Sequence, residues 1–490
     1  MYSSDDIKRL KDKISDIDES LKIKLSNEFA PYRNEKVNIL GIVREYIKET
    51  HRIIYGGIAH NEAIKLHSPK ESFYSVNDFG DYDFYSPTPV QDAYAICDIL
   101  KGKGFTDITA YEAQHAETYS IRVKEFLACD ITYMPKFIFD NLPTIKINNI
   151  KYVHPHVAIM DYLRMFTDPL LSAFRWEKAI KRVTLLQKYY PLKSNLHTLP
   201  VKNKLNLLTD VFSIIPFKTC IFIDDYAYNY YVSKVNSELH TNYNLLNLEN
   251  LTVMSTNYQE DSNLIYNTLQ QNIEKLEIKE YHPFFQYLGR SIEFYTADKK
   301  ILTIYDYNEI CLPVNRVNAI DPITFNNKSE QIIIGTFPLV ILQYLYISTK
   351  TTIFKTNKPD ETNLKIINLI KIRNEFLRKQ KKTIFDKTIF KEFTIDCIGK
   401  TYTLKEKKTR HDEENPAKKY KFRYDPEKDA NVNKTKIFTF LNTSGCLIHL
   451  NNSIIHVISS KYKKEQNRIK DKRKKRSKHN KKSKSNKKNE

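Results

Sequence analysis

The sequence predicts an α+β fold of two domains built on one plan, the second stripped of the acidic residues that mark the first. Three observations lead there. Residues 52–86 read as strand, Gly-Gly turn, helix and second strand, with Asp81 and Asp83 at the opening of the second strand. Residues 105–133 read as three successive strands, with Asp130 inside the last. Residues 221–306 repeat the pattern faintly, with Asp224-Asp225 where Gly56-Gly57 stood and apolar residues where the acidic pair stood. A chain of 490 residues is also too long for one core. The expected layout is N-terminal helices at 1–50, a first domain at 51–190, a second at 200–460 and a disordered basic tail at 461–490.

In order along the chain, Ile7, Leu10, Ile14, Ile17 and Leu21 form a helical stripe after a Ser3/Ser4 cap, and Val37, Leu40, Val43, Tyr46 and Ile47 form a second. Both are expected to pack on a core. The apolar run Ile53-Ile54-Tyr55 reads as a buried strand that ends in Gly56-Gly57, the one Gly-Gly pair among ten glycines. After the Asp81–Ser86 strand, a helix through Ala93, Ile96 and Leu100 stops at Lys101-Gly102-Lys103-Gly104. Strands follow at 105–112, 117–123 and 125–133, then an irregular crossover with a short strand at 145–150. His154-Pro155-His156 reads as a helix-capping turn, since Pro suits the first helical position. Helices follow at 157–166 and 168–189, and a linker at 190–200.

In the second half, Leu251–Thr256 is expected to take the place of Asp81–Ser86, and Tyr305 or its neighbour the place of Asp130. Residues 330–348 read as a core helix or part of a dimer face, 363–382 as an amphipathic helix with a basic side, and 405–430 as a solvated mixed-charge loop. Apolar patterning resumes at 437–458.

The chemistry sits in the first domain. Residues two apart in a strand share a face, so Asp81 and Asp83 would place like charges side by side. A divalent cation removes that repulsion, and carboxylate oxygens suit Mg²⁺ or Mn²⁺. Asp130, in an otherwise apolar strand, is costly to bury unless paired or metal-bound, and is the third candidate ligand. Glycine admits close backbone approach, and the start of the following helix favours negative charge, so Gly56-Gly57 suits phosphate. Arg175, Lys178 and Arg182 recur on one helical face that could contact a triphosphate or an RNA backbone.

Composition narrows the partners. The net charge is +20, and the last thirty residues hold 16 Lys or Arg against 3 acids. A partner rich in phosphate fits both body and tail. No apolar run of membrane-spanning length occurs, and the N-terminus has no signal-peptide core. The six cysteines lack any C-x-x-C spacing, which argues against a disulfide framework or zinc site and for a reducing compartment.

The Tyr55-Gly56-Gly57 turn, Gly80-Asp81-Tyr82-Asp83-Phe84-Tyr85-Ser86, Ala128-Cys129-Asp130-Ile131-Thr132-Tyr133 and the run from Met165 to Arg182 together resemble the DNA polymerase beta-like nucleotidyltransferases. Within them they resemble the poly(A) polymerase catalytic subunits of giant viruses, distant relatives of the poxvirus enzyme. The resemblance covers residues 35–190 well and the remainder by layout. It implies transfer of AMP from ATP to an RNA 3′ end, with Asp81, Asp83 and Asp130 as catalytic metal ligands and Gly56, Gly57, Arg175 and Lys178 binding the nucleotide. It also implies an inactive second nucleotidyltransferase-like domain, a homodimer, and a place in the cytoplasmic viral factory and the virion. Another terminal nucleotidyltransferase, adding uridylate or CCA, and a non-catalytic RNA-binding scaffold remain the alternative readings.

Overall fold

A computed structural model describes residues 3–447 apart from 29, 75–79, 308, 357–358, 415–421, 430, 436–439 and 441–443. The tail at 461–490 and most of the apolar patterning at 437–458 therefore lie outside the described residues.

The first half runs α1 (Ser4–Glu28), α2 (Ala30–Glu49), β1 (Ile53–Tyr55), α3 (Gly56–Lys65), β2 (Tyr82–Ser86), α4 (Pro89–Gly102), β3 (Ile108–Glu112), β4 (Thr118–Val123), β5 (Phe126–Tyr133) and α5 (Lys136–Asn141). It continues with β6 (Thr144–Ile147), β7 (Ile150–Val153), α6 (Pro155–Phe166), α7 (Pro169–Ser172) and α8 (Trp176–Tyr189). The single helix expected at 168–189 is thus broken by a 3₁₀ turn at Ala173–Arg175. The expected short strand at 145–150 is a hairpin, β6–β7, whose second arm pairs with β1 in parallel. His154 caps α6 as its sequence suggested: its Nδ1 accepts from the His156 amide at 3.2 Å, and Pro155 takes the first helical position.

The second half runs α9 (Leu208–Ser213), β8 (Cys220–Phe222), α10 (Asp224–Leu239), β9 (Leu251–Ser255), α11 (Tyr258–Asn272), β10 (Leu276–Tyr281), β11 (Ser291–Thr296), β12 (Lys299–Asp306), β13 (Leu312–Ile320) and β14 (Asn327–Gly335). It ends with α12 (Phe337–Ile353), α13 (Pro359–Lys379), β15 (Cys397–Ile398), α14 (Leu404–Glu414) and β16 (Arg423–Tyr424).

The two mixed sheets have one topology. The first is ordered β16-β3-β4-β5-β2-β1-β7-β6 and the second β10-β11-β12-β9-β8-β14-β13-β15. Apart from the outermost strands β16 and β15, each strand has its counterpart. A three-strand meander (β3-β4-β5, β10-β11-β12) lies parallel to β2 or β9, which is antiparallel to β1 or β8, which is parallel to β7 or β14. Helices α3 and α10 fill the same connection, as do α4 and α11.

Residues 330–348 are the end of β14 plus α12, and α12 is buried almost along its length, the core helix of the two readings. Three expectations are corrected. The α1 stripe does not join the core: Ile7, Leu10, Ile14 and Leu21 are each at least half exposed and Ile17 is 41% exposed. The segment 405–430 is not simply a solvated loop. It carries α14, and β16 extends the first sheet beside β3 with Phe422 and Tyr424 buried against Tyr94. Finally, Cys311 and Cys397 form a disulfide where none was expected. The antiparallel pairing of β13 with β15 brings together residues 86 apart in sequence, which cysteine spacing cannot show.

Helices α2 and α4 cover one face of the first sheet. A buried ion pair clamps them at the start of β1. Arg52 donates from Nε and Nη2 to the two oxygens of Asp92 at 2.8 and 2.7 Å, and the Tyr46 hydroxyl donates to Asp92 Oδ1 at 2.8 Å. Asp92 is 2% exposed, so removing it strands a guanidinium and a phenol. We expect Asp92→Ala to cost about 3 kcal/mol in denaturant unfolding, and Arg52→Met/Asp92→Leu to cost less than Asp92→Ala alone. Equal or larger loss in the double variant would show the pair to be net stabilising.

Candidate active site

Strand pairing builds the site. Tyr55, Asp83 and Asp130 are direct partners across β1, β2 and β5, so they lie in one row. The alternate residues Ile54, Phe84 and Ile131 turn to the opposite face, and all three are fully buried. Asp81 stands immediately before β2. Carboxylate oxygens of Asp81, Asp83 and Asp130 lie within 4.8 Å of one another, and this is the one group among the described residues with the make-up of a metal site.

The electrostatics are those of a charge cluster short of cations. Burial, then Asp81, Asp130 and Asp161, push the Asp83 carboxyl well above the usual range. Burial and Asp130 raise Asp81 likewise. Ser120, the β4 partner of Asp130, donates to Asp130 Oδ1 at 2.6 Å and fixes its orientation. On the β1 side the Tyr55 hydroxyl bonds Thr132 at 2.8 Å, and its ring stacks on Tyr85 at 4.0 Å. These contacts hold the row rigid.

The glycines are required by close approach. A Cβ on Gly56 would lie 2.4 Å from Asp83 Oδ2, and Gly56 has φ +70°. A Cβ on Gly57 would lie 2.1 Å from the Tyr74 hydroxyl. The residue before α3, Tyr55, gives no side-chain cap to the amides of the first turn, and the helix starts at Gly56, beside Asp83.

The expected basic face divides. Arg182 turns inward: it donates to the Tyr162 hydroxyl at 3.2 Å and stacks its guanidinium on Phe73 at 4.5 Å. The Tyr162 hydroxyl in turn bonds His60 Nδ1, and burial, then Arg182, hold His60 down at about 3, hence neutral. Arg175 and Lys178 are exposed, and Arg175 ends the 3₁₀ turn rather than lying in α8. Burial, then Arg182 and Arg175, lower Lys178. Burial lowers His115, with Asp130 opposing and Arg164, Arg175 and Lys407 reinforcing.

Sequence reading missed Asp161, His115 and Arg164. Asp161, on α6, is pushed up to about 6 by burial, with Arg164 opposing. No spacing signal places α6 beside β2.

The second copy shows what the site becomes without its acids. Asp224 stands where Gly56 does, in the same left-handed conformation at φ +57°, after residues of matching extended backbone. The pairings Ile221↔Met254 and Thr252↔Thr303 set Asn250, Thr252 and Thr303 against Asp81, Asp83 and Asp130. The expected alignment was off by one in β9 and by two in β12. Thr252 donates to Asp224 Oδ2 at 3.3 Å, and Asp225 accepts from Lys365 at 2.6 Å and Tyr344 at 3.0 Å. Carboxylates thus fill the place of the glycines, Asp225 ion-paired with Lys365 and Asp224 held by the Thr252 hydroxyl.

Comparison with known proteins agrees with this geometry. Residues 41–172 match the family described as poly(A) polymerase catalytic subunit, and residues 184–458 match that of the C-terminal part of the APMV putative poly(A) polymerase catalytic subunit. A putative poly(A) polymerase catalytic subunit of Acanthamoeba polyphaga mimivirus is 34% identical over 91% of this chain and 82% of its own. That of African swine fever virus is 37% identical over 36% of this chain and 37% of its own. The crystal structure of the Megavirus polyadenylate synthase superposes with a TM-score of 0.80 at 29% identity, covering 92% of this chain and 93% of that one. The chain belongs to the viral poly(A) polymerase catalytic subunit family, a family of nucleotidyltransferases.

Proposed function

We propose that Asp81, Asp83 and Asp130 form the catalytic centre, acting on an RNA 3′-hydroxyl and ATP to extend an mRNA by AMP and release pyrophosphate. The observation that carries this is the convergence of three carboxylates, two of them with raised pKa, beside an uncapped helix start. Such a donor set fits divalent cations. Mg²⁺ or Mn²⁺ held there would neutralise the triphosphate and acidify the attacking hydroxyl. Ser120 holds Asp130 by one oxygen and so fixes the carboxylate's place in the cluster. Gly56, Gly57 and the first turn of α3 bind phosphate by backbone donors. Arg175 and Lys178 bring side-chain charge to the nucleotide, and Arg182 positions Tyr74 over Gly57. As the 3′-oxygen bonds to the α-phosphorus, the bond to the pyrophosphate oxygen breaks, with no covalent enzyme intermediate.

The second domain, residues 200–460, serves as a degenerate nucleotidyltransferase-like scaffold. Its uncharged Asn250, Thr252 and Thr303 and its self-paired Asp224 and Asp225 leave neither metal ligands nor a phosphate cradle. The proposal includes a homodimer, action in the cytoplasmic viral factory with packaging in the virion, and no membrane partner. In keeping with the last, no helix among the described residues is long and apolar enough to cross a membrane.

Primer extension on an unstructured RNA, with each nucleotide singly, tests the site. Asp83→Ala is expected to lose about a thousandfold or more in rate, and Thr252→Ala to keep the wild-type rate. An active Asp83→Ala enzyme would refute the assignment, and extension with UTP or CTP in place of ATP would assign another tailing reaction.

Stability gives an independent check. The folded pKa values of Asp81 and Asp83 lie above the unfolded value, so the metal-free protein binds more protons when folded. Its stability should fall as pH rises from the ordinary carboxylate range through these raised values. Asp83→Asn should flatten the decline of the melting temperature in EDTA as pH rises above the ordinary carboxylate range, and raise it at the alkaline end, while abolishing activity. A lower melting temperature for Asp83→Asn there would contradict this.

A further inference from the structure

We propose that the single-stranded RNA upstream of the 3′ end runs over a basic, aromatic surface joining the start of α8 to the segment after α13, with the exposed rings of Phe174 and Phe385 stacking on its bases. This deepens the polymerase reading above and rests on it for the choice of RNA as occupant; the surface itself is read from the structure.

The surface is built on an aromatic seam between the two domains. Trp176, the one tryptophan of the chain, is fixed at the start of α8 by donating from Nε1 to the Met165 carbonyl at 2.7 Å. Phe393, beyond α13, packs against both Trp176 and Phe166, with ring centroids 5.1 and 5.0 Å away. Phe385 stacks on Phe393 at 5.6 Å with the ring planes 18° apart, and it stays 66% exposed. On the catalytic-domain side Phe174, two residues before Trp176, is 79% exposed, and the Arg175 guanidinium lies over its ring at 5.1 Å. The two open rings thus flank one seam. Leu170 and Ile395, near them in the chain, are exposed as well, and apolar surface gathered in this way marks a binding site.

Charge selects the partner. Residues 378–391 hold six Lys or Arg against one acid, and all six cations are exposed. They continue the basic side of α13. One of them, Lys379, pairs with Glu375 at 2.8 Å. Acids beside the seam are already engaged: Glu177 with Lys181 at 2.6 Å, Asp386 with the Thr383 amide at 2.7 Å and Glu392 with Arg373 at 2.7 Å. A polyanion fits such a surface. A second copy placed here by a twofold axis would set the patch against itself, lysine against lysine.

The rings select the form of the polyanion. A duplex hides its base faces in its own stack, whereas a single strand offers them, and an aromatic ring takes the face of any base. The surface begins at Arg175 and Lys178, the cations assigned above to the nucleotide, so the path leads away from the reacting end. Stacking without readout of base edges suits primers that differ in sequence.

The test is fluorescence anisotropy and primer extension with the full chain and unstructured RNA. On a labelled single strand of about twenty nucleotides, Phe174→Ala and Phe385→Ala should each raise Kd by about fivefold or more, and Phe385→Trp should restore wild-type binding. Lys381→Gln/Lys382→Gln/Lys387→Gln should lower the slope of log affinity against log salt by about two. A duplex of the same length should bind without responding to either Phe→Ala variant. In extension the loss should appear as a higher KM for the long primer with kcat kept, and should shrink as the primer is shortened. Both rings are largely exposed, so melting temperatures should match wild type. Wild-type RNA affinity in Phe174→Ala/Phe385→Ala would overturn the proposal and leave the surface to a protein partner; so would an equal loss on the duplex, or a fall in kcat with KM unchanged. The binding arm needs no catalysis. RNA bound with this dependence on Phe385 by a chain that extends no primer would remove the polymerase reading and keep the platform, whereas extension indifferent to both rings would do the reverse.

Discussion

The structure turns on the cost of placing three carboxylates on two adjacent parallel strands. Burial in a medium less polarisable than water disfavours each charge, and each neighbour disfavours it further. Asp83 suffers most, because it sits between Asp81 and Asp130 with Asp161 behind it. Among the described residues no lysine or arginine is salt-bridged to the row. The protein invests instead in rigidity: Ser120 on Asp130, Tyr55 on Thr132, and the stacked rings of Tyr55 and Tyr85. A row held so firmly and left so charged is preorganised for cations brought from outside, with the triphosphate as the natural co-ligand.

The second sheet shows the same framework with that cost removed. The strand order and the left-handed residue at the helix start are kept, yet the three acidic positions carry Asn250, Thr252 and Thr303. New acids appear at Asp224 and Asp225, in the place of Gly56 and Gly57, and they are met by Thr252, Lys365 and Tyr344. Charge that was open in the first domain is closed in the second. The second domain also reaches back: its Phe285 packs edge-on against Tyr85, next to the catalytic row. The second domain thereby packs directly against the strand that carries the acidic row.

Much of the site was legible because it is local. A period of two in Asp81-Tyr82-Asp83, an Asp within the apolar strand of Asp130, and one Gly-Gly pair after a strand each follow from short-range rules. The internal echo was legible at Gly56-Gly57 against Asp224-Asp225, where a turn fixes the alignment. It slipped by one residue at β9, where two apolar strands can be overlaid in either register and only the pairing of Ile221 with Met254 decides. Asp161, His115 and the Cys311–Cys397 bridge were hidden for a different reason: each depends on contacts between elements far apart in the chain. Arg182 looked like part of a basic face open to phosphate because helical spacing does not reveal that Phe73 and Tyr162 stand over it. The α1 stripe was legible as amphipathic, but a pattern states that a face is apolar and not what covers it.

The most direct test is a crystal soaked with Mn²⁺ and a non-hydrolysable ATP analogue, located by the anomalous signal of the metal. The account predicts manganese among Asp81, Asp83 and Asp130, phosphate oxygens on the amides of Gly56-Gly57, and neither metal nor nucleotide at Asp224-Asp225. Manganese or nucleotide bound at the second copy, with the first left empty, would contradict it.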